Sequence, residues 1–344
     1  MKKSLMEAAG TLAAARNKTS LDGPLWMSDF RIWGLPLSET SDAETLCGYL
    51  FAAQTPTGFL PSGNRAGAAA LPIQGFILEQ LRQSSKKSAE FLAPALRTAF
   101  HRAIAYHRYL YAHRDPAEEG LLVIEHPEED GFGNAPGYWY RNSPTLQIQD
   151  PFFNTCLAAS NEALMALGHF LKEDISEAAH WYELTVHTMN EKLWDEEAAS
   201  YRAYDLSTGR FIKVPTLAGL LPMLAEIPDQ AQAERMLALL ESPAWTDPAY
   251  RMYPSCRTSQ IASDHCGGWN GAVWPALNWM LYKGLKRYDF NETAERLRRS
   301  TLHLVSEYGF HVAYDPRQQK QGHPGIGTPS SAAAAALALH WLLK

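Results

Sequence analysis

Cysteine is scarce in this chain: Cys47, Cys156, Cys256 and Cys266 are the four in 344 residues, and no CxxC pair exists. That excludes a thiolate metal knuckle and makes a disulfide framework a poor expectation. Near the first residue, Glu7 and Arg16 interrupt any apolar stretch, so no secretory signal is expected. Free thiols in a reducing cytoplasm follow from both readings. Long apolar runs are missing too. The nearest, Ser330 to Leu343, is Ala-rich and too short to span a bilayer, which takes about 18 residues or more, and reads as a buried helix. Positive charge is not in excess: 31 Lys and Arg stand against 37 Asp and Glu, a net charge of −6, which argues against nucleic acid as a partner. Gly-rich phosphate loops, nucleophile elbows and metal-ligand spacings are absent. His101, His107 and His113 step by six, turning about 240° each time, so they share no helix face. No metal and no cofactor are expected, and nothing indicates an oligomeric state.

What is present is apolar and aromatic. At 46% hydrophobic residues the composition excludes disorder, and ten tryptophans need somewhere to be buried or used. Helical periodicity dominates. It is clearest over Ser88 to Arg114, where Leu92, Leu96, Ala99, Ala103, Tyr106 and Leu110 recur at three- and four-residue steps. Further helices are predicted at Asp42–Gln54, Leu71–Leu81, Phe152–Leu171, Ile175–Leu193, Leu217–Leu224, Ala231–Leu240, Gly271–Leu285, Glu292–Tyr308 and Ser331–Leu343. Leu5–Ala15 and a short element at Trp26–Trp33 bring the number to about twelve. Leu121–Ile124 and Tyr201–Tyr204 are the only extended candidates. Gly, Pro and Asn collect in connectors at Gln54–Gly67, Glu125–Pro151, Glu241–Gly271 and Val312–Pro329, and loops this long in a packed chain are usually functional. No linker composition or sequence repeat divides the chain, so one domain over residues 1–344 is expected. Periodicity alone leaves an (α/α)6 barrel, an irregular bundle and an open solenoid all standing.

The connectors carry a resemblance. His126-Pro127-Glu128-Glu129-Asp130-Gly131-Phe132-Gly133-Asn134-Ala135-Pro136, followed by Trp139, resembles a loop of glycoside hydrolase family 63. Gly268-Trp269-Asn270-Gly271-Ala272-Val273-Trp274-Pro275, then Asn278-Trp279, resembles that family's Tyr-Trp-Arg-Gly-Pro-Val-Trp block. Gly309-Phe310-His311-Val312-Ala313-Tyr314-Asp315-Pro316 resembles its Gly-Phe-x-Glu-Tyr-Tyr-Asp-Pro block, and Gln54 to Pro61 its Gln…Gly…Pro connector. The matches keep their order from about residue 26 onward. The family includes α-glucosidases, mannosylglycerate and glucosylglycerate hydrolases and, more distantly, trehalases. The resemblance implies an all-α fold, an (α/α)6 barrel with long loops over one mouth, acting on a small carbohydrate or polyol-like substrate. It places Trp26, Gln54, Asn134, Trp139, Trp269, Asn270, Trp274 and Tyr314 at the substrate, and puts Trp33 and Trp279 at the mouth. Trp181, Trp194, Trp245 and Trp341 are left to the core.

The same resemblance shows a departure. Inverting hydrolysis needs two carboxyl groups roughly 6.5–9.5 Å apart, one protonating the leaving oxygen and one deprotonating water. The family's acid falls on Gly133, its base on Val312 and its sugar-holding Arg on Asn270. Glycine has no proton to give and valine cannot activate water. Hydrolysis here therefore requires relocated carboxylates, for which Asp130, Glu129, Asp29 and Asp264 are the candidates. Asp130 is the expected acid, because crowded acids on a loop hold a proton to higher pH when partly buried. His126 and His311 are further acid–base candidates, and Asp315 is expected to cap its turn. Two alternatives stand beside hydrolysis. One is a lyase, dehydratase or isomerase using the same pocket, since Glu128–Gly133 resembles a loop of linalool dehydratase-isomerase, although the nearby cysteines of that enzyme are lacking. The other is a catalytically silent sugar-binding protein.

Overall fold

The computed structural model describes residues 43–62, 67–84, 89–138, 146–245, 252–257, 266–317, 322 and 324–342. The expected elements at Leu5–Ala15 and Trp26–Trp33 lie outside these. The chain is rich in helix: α1 (Ala43–Leu50), α2 (Gln74–Ser84), α3 (Ala89–Arg114), α4 (Pro151–Leu171), α5 (Ser176–Lys192), α6 (Gln230–Leu240), α7 (Pro275–Arg287), α8 (Asn291–Tyr308) and α9 (Ala332–Leu342). Periodicity locates each of these to within a few residues. The differences have local causes. Pro275 opens α7 at a position where its missing N–H costs nothing, four residues after the expected Gly271. The segment Leu217–Ala225 is a 3-10 helix rather than an α-helix, with Pro222 inside it removing a donor.

Burial sorts the helices into two kinds. Along α4 most residues are buried on every side, and all nine residues of the 3-10 helix are buried. By contrast α5 buries only Ala178, Trp181, Thr185, Thr188 and Met189, a single stripe of the kind that lets a helix face water on its other side. The all-round buried helices pack against one another although they are two elements apart in sequence: α2 on α4, α4 on the 3-10 helix, the 3-10 helix on α7, and α7 on α9. Phe76 of α2 also meets Trp279 of α7 edge-on at 6.0 Å. At the α2–α4 crossing Gly75 is a contact requirement, because a Cβ there would lie 2.6 Å from Ser160 Oγ and 2.7 Å from the Ser160 carbonyl. The Gly75 amide instead donates to Ser160 Oγ at 2.9 Å. The histidines of α3 separate as their spacing predicts: His107 is buried, while His101 and His113 face outward. Burial pushes the His107 imidazole down to about 4, so it stays neutral.

Among the described residues, eight two-residue strands qualify the all-α expectation. Val123–Ile124 (β1), Ile148–Gln149 (β2), Tyr204–Asp205 (β5) and Arg210–Phe211 (β6) form one antiparallel sheet in the order β1-β2-β5-β6. Trp194–Asp195 (β3) pairs with Ser200–Tyr201 (β4), and Ala313–Tyr314 (β7) with Gly325–Ile326 (β8). Runs this short carry no alternation to read. The β1–β2 pairing, Val123 opposite Gln149, clamps the two ends of the long 125–147 connector at its base. Asn154 of α4 locks β1 further, accepting from the Leu122 amide and donating to the Leu122 carbonyl, both at 2.9 Å. No helix among the described residues is long and apolar enough to cross a membrane.

Candidate active site

The loop that leaves β1 is built by its acidic residues. His126 caps a 3-10 turn, Pro127–Asp130, by accepting from the Glu128 amide through Nδ1 at 3.2 Å. Glu129 closes the reciprocal half of a capping box. Its Oε2 accepts the amides of Glu125 at 2.7 Å and His126 at 3.2 Å, and its Oε1 accepts the amide of Ala69 at 2.7 Å. Arg114 lies across it, with Nη2 at 3.0 Å from Oε1 and Nη1 at 3.3 Å from Oε2. Burial raises the Glu129 carboxyl above its ordinary range, and Arg114 and the amides oppose that rise. Glu129 thus has both oxygens committed to the scaffold.

Asp130, fully buried, is committed in the same way. Its Oδ1 accepts the amides of Phe132 at 2.7 Å and Gly133 at 2.5 Å, while Oδ2 accepts the amide of Ala135 at 2.6 Å. This is an extended Asx turn that folds the loop over its own carboxylate. Burial above all, with Asp150 as a smaller like-charge influence, pushes the Asp130 carboxyl up to about 7; the three amides pull the other way. A titration in that range suits an acid–base residue, but every hydrogen bond of this side chain points into the loop. Asp29 and Asp264 lie outside the described residues.

The second wall is the 266–274 segment. Asn134 Oδ1 accepts the Trp269 amide at 2.9 Å and its Nδ2 donates to the Gly267 carbonyl at 3.2 Å, so the two loops are sewn together. Trp269 donates from Nε1 to the Asp130 carbonyl at 3.0 Å, and Trp274 from Nε1 to the Gly268 carbonyl at 2.8 Å. Both rings are buried, with Phe132 between them at 5.1 and 4.5 Å. Trp279 does not reach the mouth: it is buried within α7, edge-on to Phe76 and His340. Tyr314 is buried as well, donating to the Gly309 carbonyl at 2.5 Å, and Gln54 donates to the carbonyls of Gly58 and Arg102. Asn270 is different: its backbone amide donates to the Gly267 carbonyl at 2.8 Å, and its half-buried side-chain amide makes no hydrogen bond among the described residues. Trp26 and Trp139 fall outside the described residues. Val312 is buried just before β7, and Asp315 caps its turn by accepting from the Arg317 amide and side chain at 2.9–3.0 Å.

Two arginines beside this loop carry no signal in the sequence. A cavity of about 20 Å³, room for one water, opens between Ala135, Pro136 and Tyr138 on one side and Tyr201, Arg202 and Thr216 on the other. Arg202 is paired through Nε with Asp195 at 2.5 Å, but its buried Nη1 has no partner among the described residues. The bridge between Thr216 and Cys256 brings Arg257 to the same place. Arg257 has a buried, unpartnered Nε, and desolvation together with the charge of Arg202 lowers its pKa. Positions 202 and 257 are 55 residues apart, so only the folded bridge reveals them as neighbours.

The chain matches the mannosylglycerate hydrolase MGH1-like glycoside hydrolase domain over residues 24–328. A mannosylglycerate hydrolase of Thermus thermophilus is 32% identical over 313 residues, with 76% of this chain and 72% of that protein covered. The crystal structure of the family 63 mannosylglycerate hydrolase from Thermus thermophilus in complex with glucose superposes with a TM-score of 0.79 at 30% identity, covering 92% of each chain. Neutral trehalase of Saccharomyces cerevisiae superposes with a TM-score of 0.66 at 11% identity, over 92% of this chain and 70% of that one, a likeness of fold alone.

Proposed function

The chain belongs to the mannosylglycerate hydrolase MGH1-like glycoside hydrolases, and from that premise we propose that it binds small α-glycosides whose aglycone carries a carboxylate. The observation that carries this reading is the pair Arg202 and Arg257, two cations with buried unpartnered nitrogens beside the loop. Buried donors without acceptors are costly. A carboxylate of the glycerate type offers what a guanidinium binds best, two charge-assisted hydrogen bonds from one planar group. The Asn270 side-chain amide, with no hydrogen bond among the described residues, is the amide available to sugar hydroxyls. Asp29, Trp26, Trp139 and Asp264 are assigned to this site by the family resemblance alone and lie outside the described residues.

The two-apart packing of the buried helices supports an (α/α)6 barrel of one domain, with the long loops at one mouth. Turnover by the family's pair of carboxyl groups has no support, because Gly133 and Val312 stand at those places and Asp130 and Glu129 serve the loop. Binding is the function the geometry supports best. Isothermal calorimetry with α-mannosylglycerate and with methyl α-mannoside tests it. Tighter binding of the acidic glycoside by at least about tenfold is expected, worth about 1.4 kcal/mol, with the advantage lost in Arg257→Ala. Equal affinities, or no saturable binding of either, would overturn the proposal.

A further inference from the structure

Charge does not balance at the cavity beside the loop. Arg202, which follows β4, lines it and has Asp195 as its carboxylate. Arg257 has no ion pair among the described residues. Two guanidinium groups thus share one carboxylate there. They are close enough to repel: burial first, and then the charge of Arg202, lowers the Arg257 pKa. A partly buried positive charge without a counter-charge is costly. Arg202 Nη1 and Arg257 Nε are buried donors with no acceptor among the described residues.

Two hydroxyl-bearing residues line the same cavity. Thr216 stands at the N-cap position of the 3-10 helix Leu217–Ala225, where its side chain would ordinarily accept a helix amide, yet it makes no cap bond. Ser200, buried in β4, likewise spends its hydroxyl on no described residue. Tyr138 and Tyr201 also line the cavity but donate their phenols elsewhere, to Asp150 and Asn190, each at 2.5 Å. Ile212 and Val214 make the remaining wall apolar. The space of about 20 Å³ exceeds the ~10–15 Å³ that one water needs, and holds no more than one small particle.

We propose that this cavity is a binding site for a monatomic anion of chloride size, held by Arg202 Nη1 and the hydroxyls of Ser200 and Thr216 and balancing the charge of Arg257. A neutral water would meet the donors and leave the charge unbalanced. Because Arg202 and Arg257 are also the groups proposed to receive the aglycone carboxylate, chloride and the acidic glycoside exclude each other. That exclusion rests on the glycoside reading; the chloride site does not. The affinity for acidic glycosides therefore falls as chloride rises, a dependence absent for neutral ones.

The linewidth of the ³⁵Cl resonance, read at constant ionic strength in sodium isethionate, tests the site directly. Wild-type protein is expected to broaden it saturably, and bromide to reverse the broadening better than iodide or perchlorate. An exposed guanidinium, weakly hydrated, favours the large anions instead. Arg202→Gln is expected to weaken chloride by about 10–100-fold, the worth of one hydrogen bond to a charged group. Thr216→Val, which keeps the shape and the Arg202–Asp195 pair, is expected to weaken it several-fold with an unchanged melting temperature. No saturable broadening in the wild type, reversal best by iodide and perchlorate, or broadening indifferent to both substitutions would overturn the proposal. Addition of α-mannosylglycerate is expected to displace the chloride, and its binding without displacement would overturn the exclusion. A wild type that holds chloride and binds no glycoside would instead remove the glycoside reading and leave the anion site standing.

Discussion

Glu128, Glu129 and Asp130 are chemically alike and adjacent, yet the fold treats them differently: Glu129 and Asp130 are buried with their oxygens on backbone amides, and Glu128 is half-buried. The sequence shows the cluster and offers Asp130 as the acid, but which way each carboxyl turns on a 3-10 turn depends on what lies beneath. For Glu129 there was a legible signal, its place three residues after the capping His126. Asp130 was legible only through Gly131 and Gly133, which permit the backbone to curl around its oxygens. Glu129 supplies a direct check. Removing its charge leaves buried Arg114 with Glu125, 2.8 Å from Nη1, as its remaining carboxylate, and deprives backbone donors of an acceptor. Glu129→Gln is expected to cost about 1–3 kcal/mol in denaturant unfolding, the usual penalty for leaving buried donors unsatisfied. A stable but inactive Glu129→Gln protein would return that residue to the list of catalytic carboxyls.

At the scale of elements, the helices were legible wherever periodicity ran for ten residues or more, and α3 was read to within one residue. The two-residue strands were not, since pairing rather than pattern creates them. Helix α4 shows how an element carries the site's electrostatics. Its N-cap, Asp150, accepts the Phe153 amide at 2.7 Å and the Tyr138 hydroxyl at 2.5 Å. Burial pushes its carboxyl up to about 6, as it pushes Asp130 to about 7. With folded pKa values above the unfolded ones, the native state keeps protons that the unfolded chain gives up near pH 4. These two groups therefore contribute stability that is complete below about pH 4 and is lost as pH rises through 6 and 7. Glu241 and Glu295 are lowered, and their contribution is lost only on further acidification. The melting temperature is expected to fall between pH 5 and 8, and to fall less in Asp150→Asn, which keeps an N-cap acceptor without the charge. A melting temperature that rises over that interval in the wild type would contradict this assignment.

Across the whole molecule, the buried apolar side chains run as one cluster from Cys47 to Trp341. The all-round buried helices and the loops are coupled through it: Phe152 at the start of α4 lies edge-on to Trp269 of the loop wall, 5.3 Å away. Trp269 in turn donates to the Asp130 carbonyl. The tryptophans that the sequence assigned to sugar binding divide on this ground. Trp269 and Trp274 hold the loop, and Trp279 belongs to the core. A ring buried on all sides in the free protein contributes by fixing the frame rather than by stacking on a ligand, and one sequence cannot separate these uses because both favour the same residue. If loop and core are one packed body, the loop should not open ahead of the helices. Calorimetry is expected to give a single unfolding transition, with near-ultraviolet circular dichroism of the tryptophans and far-ultraviolet helix signal lost together. Trp269→Phe removes the indole donor to Asp130 while keeping most of the packing. It is expected to lower that common transition by the value of one buried hydrogen bond, about 1–3 kcal/mol, without splitting it. Separate transitions for the tryptophan and helix signals would show instead that the loop wall is a layer laid on an independently stable helical body, and the one-domain reading would fail with it.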